Sequence, residues 1–146
     1  MQLDGETELR ATPEAVWEAV HDTEILKHCV PGCEKIEWLD ETTLEAALLF
    51  RAAAFSRHFS SRVHIRDAVR PESYTLHFGK SLETASVTSR VRFEPSPAGT
   101  KVFYEVEARL DGSIARFGVK LISGVARKMA KSFFACLDKR MSEEAS

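Results

Sequence analysis

The chain opens on a strict alternation. Between Gln2 and Ala11, Leu3, Thr7 and Leu9 fall on one side, and Asp4, Glu6, Glu8 and Arg10 on the other. Period-two spacing is the pattern of a strand with one buried face. Thr12-Pro13-Glu14 then predicts a helix start, with Thr12 as N-cap and Pro13 in the first turn, where its missing N–H removes no bond. Val16, Trp17 and Val20 give that short helix its apolar stripe. A second short helix is expected over Thr23–Cys29, ended by Pro31-Gly32, which cannot continue it.

From there the pattern is all strand. Ile36 and Trp38 begin it, and Asp40-Glu41-Thr42 makes a turn. Leu44, Ala46, Leu48 and Phe50 share a face, followed by Phe59, Ser61, Val63 and Ile65, opposed by Ser60, Arg62, His64 and Arg66. After a turn at Arg70-Pro71-Glu72 come Tyr74, Leu76 and Phe78, then Ala85, Val87, Val91 and Phe93. Pro95-Ser96-Pro97-Ala98-Gly99 turns the chain into Val102, Tyr104, Val106, Ala108 and Leu110. Strands so closely spaced are antiparallel neighbours, because parallel pairs need long crossovers. One apolar face per strand means a sheet covered on one side only.

The cover is the segment Ser113–Met141, a helix of roughly 43 Å at about 1.5 Å per residue. Ile114, Phe117, Leu121, Ile122, Val125, Met129, Phe133 and Leu137 make its apolar stripe, with Arg116, Lys120, Arg127 and Lys131 opposite. The order β-α-α-β(six)-α therefore predicts an α+β fold: a curved antiparallel sheet of about seven strands wrapped around a long C-terminal helix, as one domain over residues 1–146.

A sheet that grips a helix encloses space, which side chains fill or leave hollow. Gly5, Ala46, Ser61, Ala85, Ser89, Ala108, Gly118 and Gly124 are small residues at inward positions. The expected lining is Leu48, Phe50, Phe59, Phe78, Ser89 and Tyr104 from the sheet, with Phe117, Leu121, Val125, Met129 and Phe133 from the helix. Thr7, Ser61, Ser89 and Tyr104 supply the few polar groups such a site needs. Read from composition alone, the same stripe is a packed core; the topology is what favours a pocket.

At 146 residues, 44% hydrophobic and 29% charged, the chain has the make-up of an ordinary globular protein. No stretch approaches the roughly 20 apolar residues of a membrane span, and Met1–Glu6 lacks the pattern of a secretory signal; a cytoplasmic location is expected. The net charge of −2 argues against a nucleic-acid partner. It conceals an asymmetry, since Ser113–Met141 carries seven basic residues against Asp138 alone, +6 against −8 elsewhere. Three cysteines are an odd count, which fits a reducing compartment better than a disulfide framework. A Cys29–Cys33 bond is geometrically possible but unexpected in the cytosol, and a structural zinc site needs a second ligand pair, which is absent. Neither a metal nor a cofactor is expected. His58, His64 and His77 have outward parity, and no local pattern of nucleophile, base and acid occurs.

Val30-Pro31-Gly32-Cys33-Glu34-Lys35-Ile36-Glu37 after the Val16-Trp17 helix resembles the signature of the carbon monoxide dehydrogenase CoxG family. The run Asp111-Gly112-Ser113-Ile114-Ala115-Arg116-Phe117-Gly118, with Leu121-Ile122 and Phe133-Phe134, is similar to that family's final helix, and Gly99-Thr100 before the Tyr104 strand agrees with it. The resemblance implies a START-like helix-grip fold, a superfamily whose members generally bind lipids, quinones, polyketides or other hydrophobic molecules. It also implies association with a molybdenum hydroxylase of the carbon monoxide dehydrogenase type. The sequence departs from the pattern at Ala52-Ala53-Ala54-Phe55 and Lys80-Ser81-Leu82-Glu83, where members tend to carry glycines, so ligand identity does not transfer.

Three readings follow. The favoured one is a non-catalytic carrier or accessory subunit for a lipophilic molecule, lipid or quinone-like. A docking subunit without ligand would use the basic helix face, Arg127, Lys128 and Lys131, against a redox-enzyme partner, with at most peripheral membrane contact. An enzyme of cyclase or hydrolase type would turn on Tyr104.

Overall fold

The computed structural model describes residues 1–52, 55–78, 85–110 and 118–145, without the side chains at 50, 52, 55, 57, 59, 85, 110, 119 and 143–145. Strand β1 (Gln2–Leu9) leads into α1 (Pro13–Val20) and α2 (Thr23–Cys29). Six strands follow: β2 (Cys33–Asp40), β3 (Thr43–Ala52), β4 (Phe55–Val69), β5 (Ser73–Phe78), β6 (Ala85–Ser96) and β7 (Gly99–Leu110). The last element is α3 (Val119–Ala145).

The starts of the two short helices have the chemistry their sequences dictate. Thr12 accepts the Ala15 N–H at 3.3 Å with Pro13 in the first turn, and the Asp22 carboxylate accepts from Glu24 and Ile25 at 2.9 and 3.4 Å. Pro31-Gly32 turns α2 into β2, with the Cys33 N–H donating to the Val30 carbonyl at 3.1 Å. Gly32 has a φ of +77° and lies against the Leu49 carbonyl, so both its backbone conformation and its surroundings exclude a side chain.

The seven strands form one antiparallel sheet in the order β1-β7-β6-β5-β4-β3-β2. Strands β2 to β7 are neighbours in chain order, and β1 pairs with β7 from the far end of the chain. A register shift between Arg66 and Val69, with Asp67 at φ 54°, marks a bulge in the longest strand, β4.

The expected final helix is corrected at both ends. Gly118, at φ +82°, lies in the left-handed region and cannot be helical, so α3 begins at Val119; residues 113–117 lie outside the described residues. No breaker follows Met141, and the helix continues to Ala145.

The cysteine expectation is corrected as well. Cys29 at the end of α2 is joined to Cys136 of α3, Cα–Cα 5.4 Å, and Cys33 is the free thiol. The odd count pointed to unpaired cysteines, but Cys29 points into the core, which the packing of α2 on α3 brings to Cys136.

Candidate functional site

One end of the grip is sealed. Val16, Trp17, Val20 and Ile25 of the short helices meet Tyr74, Val91, Phe93 and Val102 of the sheet and Leu137 and Met141 of α3 in one buried cluster. The aromatic rings in it interlock edge to face, Trp17 lying 5.4 Å from Tyr74 and 6.2 Å from Phe93. His21 stacks between Trp17 and Trp38, at 4.8 and 6.0 Å. Burial with nothing to hold its anion pushes the Tyr74 phenol far above its ordinary range.

Burial falls away along β3, β5 and β6 towards the end at which β3, β5 and β7 finish. On β3 it declines from buried Leu44 to half-buried Ala46 and Leu48; on β5, from buried Tyr74 to half-buried Leu76 and Phe78. On β6 it declines from buried Phe93 and Val91 to half-buried Ser89 and Val87. β7 follows from Val102 to Tyr104 and Val106, although Ala108, bonded to the Met1 main chain, is buried again. The helix repeats the gradient. Leu137 is fully buried and Met141 nearly so, whereas Ile122, Val125, Met129 and Phe133 are only half-buried. The close neighbours of α3 are β1, α1 and α2. Strands β3 to β5 thus carry, on the inward face, apolar side chains that stay half-buried. That partly covered face is the candidate site.

Of the expected lining, Leu48, Phe78, Ser89, Tyr104, Val125, Met129 and Phe133 are half-buried on these surfaces. The side chains of Phe50 and Phe59, and all of Phe117, lie outside the described residues, as do residues 53–54 and 79–84, where the chain departs from the pattern it otherwise resembles. Leu121 is corrected: it is 40% exposed, because it lies about 100° round the helix from Ile122.

Tyr104 does not point into the hollow. It pairs in register with Gly5 of β1, and its hydroxyl occupies the volume a Gly5 side chain would fill. Phe134 stacks on its ring at 5.5 Å, and Phe133 packs against Phe134 at 5.2 Å. Sequence reasoning leaves Phe134 out of the lining because it sits beside the stripe rather than on it; the pairing of Gly5 with an aromatic on the adjoining strand is the signal that could have found it. The Tyr104 hydroxyl is thus directed at β1, and its ring is covered by Phe134.

The opposite face of α3 is a different surface. Lys120, Leu121, Gly124, Arg127, Lys128, Lys131, Ser132, Ala135 and Lys139 are all exposed, five cations with no carboxylate among them. Asp138 of this helix is engaged by Arg10, whose backbone N–H and Nε donate to it at 2.9 and 3.0 Å. On the convex sheet His58 bonds Glu34 at 2.9 Å, and His77 lies 3.1 Å from the Thr88 hydroxyl. A cleft of about 600 Å³ between Pro13, Pro71, Phe93 and Pro95 opens outward at the sealed end and is separate from the hollow. Among the described residues, no three His, Cys, Asp or Glu side chains are grouped to hold a metal, and no helix is long and apolar enough to cross a membrane.

Comparison with known proteins agrees with this architecture. The sequence pattern of the carbon monoxide dehydrogenase CoxG family matches residues 5–142. No curated protein matches the chain. The crystal structure of a conserved protein from Geobacillus kaustophilus superposes with a TM-score of 0.88 at 25% identity, over 98% of this chain and 96% of that one. A START superfamily protein from Mycobacterium smegmatis gives 0.76 at 12% identity, over 97% of each chain. The di-domain ARO/CYC StfQ of the steffimycin biosynthetic pathway gives 0.71 at 8% identity, over 99% of this chain and 51% of that one. The last two likenesses establish the START-like fold alone.

Proposed function

This chain belongs to the carbon monoxide dehydrogenase CoxG family, and from that premise we propose that it is a non-catalytic carrier. As a single ligand-binding domain over residues 1–146, it holds a lipophilic small molecule, lipid or quinone-like, between the sheet and α3. It serves as an accessory subunit to a molybdenum-hydroxylase-type enzyme of the carbon monoxide dehydrogenase kind. The observation that carries the reading is the apolar face of Leu48, Val63, Ile65, Leu76, Phe78 and Val87, only half-buried in a protein that packs its other end into a buried cluster. Fully covering a large apolar side chain is worth about 1.5–3 kcal/mol. Covering the exposed part of six is worth on the order of 5 kcal/mol before the entropic cost of association.

Filling the space tests this. Nile red should bind the native protein, and Leu76→Trp or Val87→Trp should weaken it at least tenfold with the fold intact by circular dichroism. Unchanged binding in both variants would reject the hollow as the site.

The exposed cations of α3 favour a second element of the reading. Arg127, Lys128 and Lys131, with Lys120 and Lys139, give the helix an outward face suited to an acidic surface of the partner enzyme. The reading keeps the protein in the cytoplasm, with at most peripheral membrane contact, since that face offers charge and one leucine rather than an apolar patch. If the hollow proves dry, docking alone becomes the function. The ARO/CYC likeness keeps an enzyme in view only at the level of fold, and the hydroxyl of Tyr104 over Gly5 gives that reading little support.

A further inference from the structure

The C-terminal half of α3 is held from two sides. On the β1 side, Asp138 bonds Arg10 and Phe134 stacks on Tyr104. On the other, Cys136 is bonded to Cys29, the last residue of α2. Cys29 leads directly into Val30-Pro31-Gly32, and the Gly32 carbonyl accepts the Leu49 N–H of β3 at 2.8 Å. α2 also packs closely on β2. The disulfide is therefore the covalent strap that carries α3 across to the β2–β3 edge, the far wall of the hollow. Cys29 is 3% exposed, and Cys136 is half-buried. The remaining thiol, Cys33, donates to the Lys35 carbonyl at 3.6 Å; burial pushes it above its ordinary range, which makes it a poor agent of exchange.

We propose that the Cys29–Cys136 bond is a reducible latch that sets how tightly α3 closes the hollow; as a control on ligand retention this rests on the carrier reading. A dithiol donor supplies two electrons and two protons, closes to its own disulfide, and leaves Cys29 and Cys136 as thiols. The β1-side contacts and the burial of Leu137 and Met141 persist, so the fold survives while α3 loosens from α2 and the ligand leaves faster. Thiol redox state thereby becomes a release signal.

The test follows Nile red dissociation and amide hydrogen exchange in the full chain, oxidised and after reduction with dithiothreitol, with peptide mapping to establish the bond. Dissociation should accelerate at least tenfold on reduction, and exchange should rise in residues 120–136 but not in β1 or β7. Cys29→Ala/Cys136→Ala should match the reduced protein, and Cys33→Ser should keep the oxidised behaviour; if the double variant does not fold, reduction of the native chain still decides. Equal exchange of α3 in the two states, or two free thiols that resist joining under oxidised glutathione, would overturn the latch. Loosening of α3 without any Nile red binding in either state would sustain the latch and reject the carrier.

Discussion

Gly5 and Tyr104 show how one residue fixes another. A side chain at position 5 must displace the Tyr104 ring, which is already wedged by Phe134. Gly5→Ala should cost about 2 kcal/mol, as overpacking typically does, and lower Tm by roughly 4–8 °C for a chain of this length. Tyr104→Leu in the same chain should recover part of that loss, and additive losses in thermal melts would contradict the contact. Tyr74 gives a pH signature. Its folded-state phenol is raised by burial, so the unfolded chain releases this proton first as pH climbs past about 10. Stability from this group is complete below that pH and falls above it. Tyr74→Phe should flatten that part of the alkaline decline in urea midpoints between about pH 9.5 and 11.5, and parallel profiles would refute it. Neither feature is legible in the sequence. Tyr74 and Tyr104 share the inward parity, but only depth separates a sealed ring from one at the edge of a space.

At the scale of elements, α3 is two helices in one. Its C-terminal half belongs to the core and its N-terminal half stands over the hollow. Leu137→Ala should cost about 3 kcal/mol by leaving a cavity, whereas Leu121→Ala should stay within about 0.5 kcal/mol; denaturant melts of the two variants compare them directly. Equal losses would mean the helix is packed along its whole length. Period two and period 3.6 make the strands, the short helices and the existence of α3 readable, because those periods are fixed by backbone geometry. The start of α3 is not, since Gly118 looks like a tolerated small residue until its backbone is seen in the left-handed region. Leu121 misleads for a related reason: spacing defines a stripe but not its centre, and Ile122 beside it holds the inward position.

Across the whole molecule, charge and apolar surface are divided between the two faces of one helix. The outward face should respond to charge alone, so Arg127→Glu/Lys128→Glu/Lys131→Glu should leave Nile red affinity within twofold while abolishing salt-sensitive retention on an anionic column at about 0.1 M salt. Loss of the dye with that triple change would tie the two faces together. The asymmetry of charge and the order of elements are visible in the sequence; the Cys29–Cys136 pairing is hidden there, because residues 107 apart meet only once α2 packs on α3. Whether the space is hollow is equally unreadable, since half-covered and fully covered leucines have the same spacing. Native mass spectrometry of the freshly purified protein, with denaturing spectra and solvent extraction of the same sample, addresses that directly. A bound mass of several hundred daltons, released on denaturation and recovered in the organic phase, is the predicted result. A bare chain that takes up neither offered lipid nor quinone would contradict the carrier and leave α3 as a docking helix over a closed core.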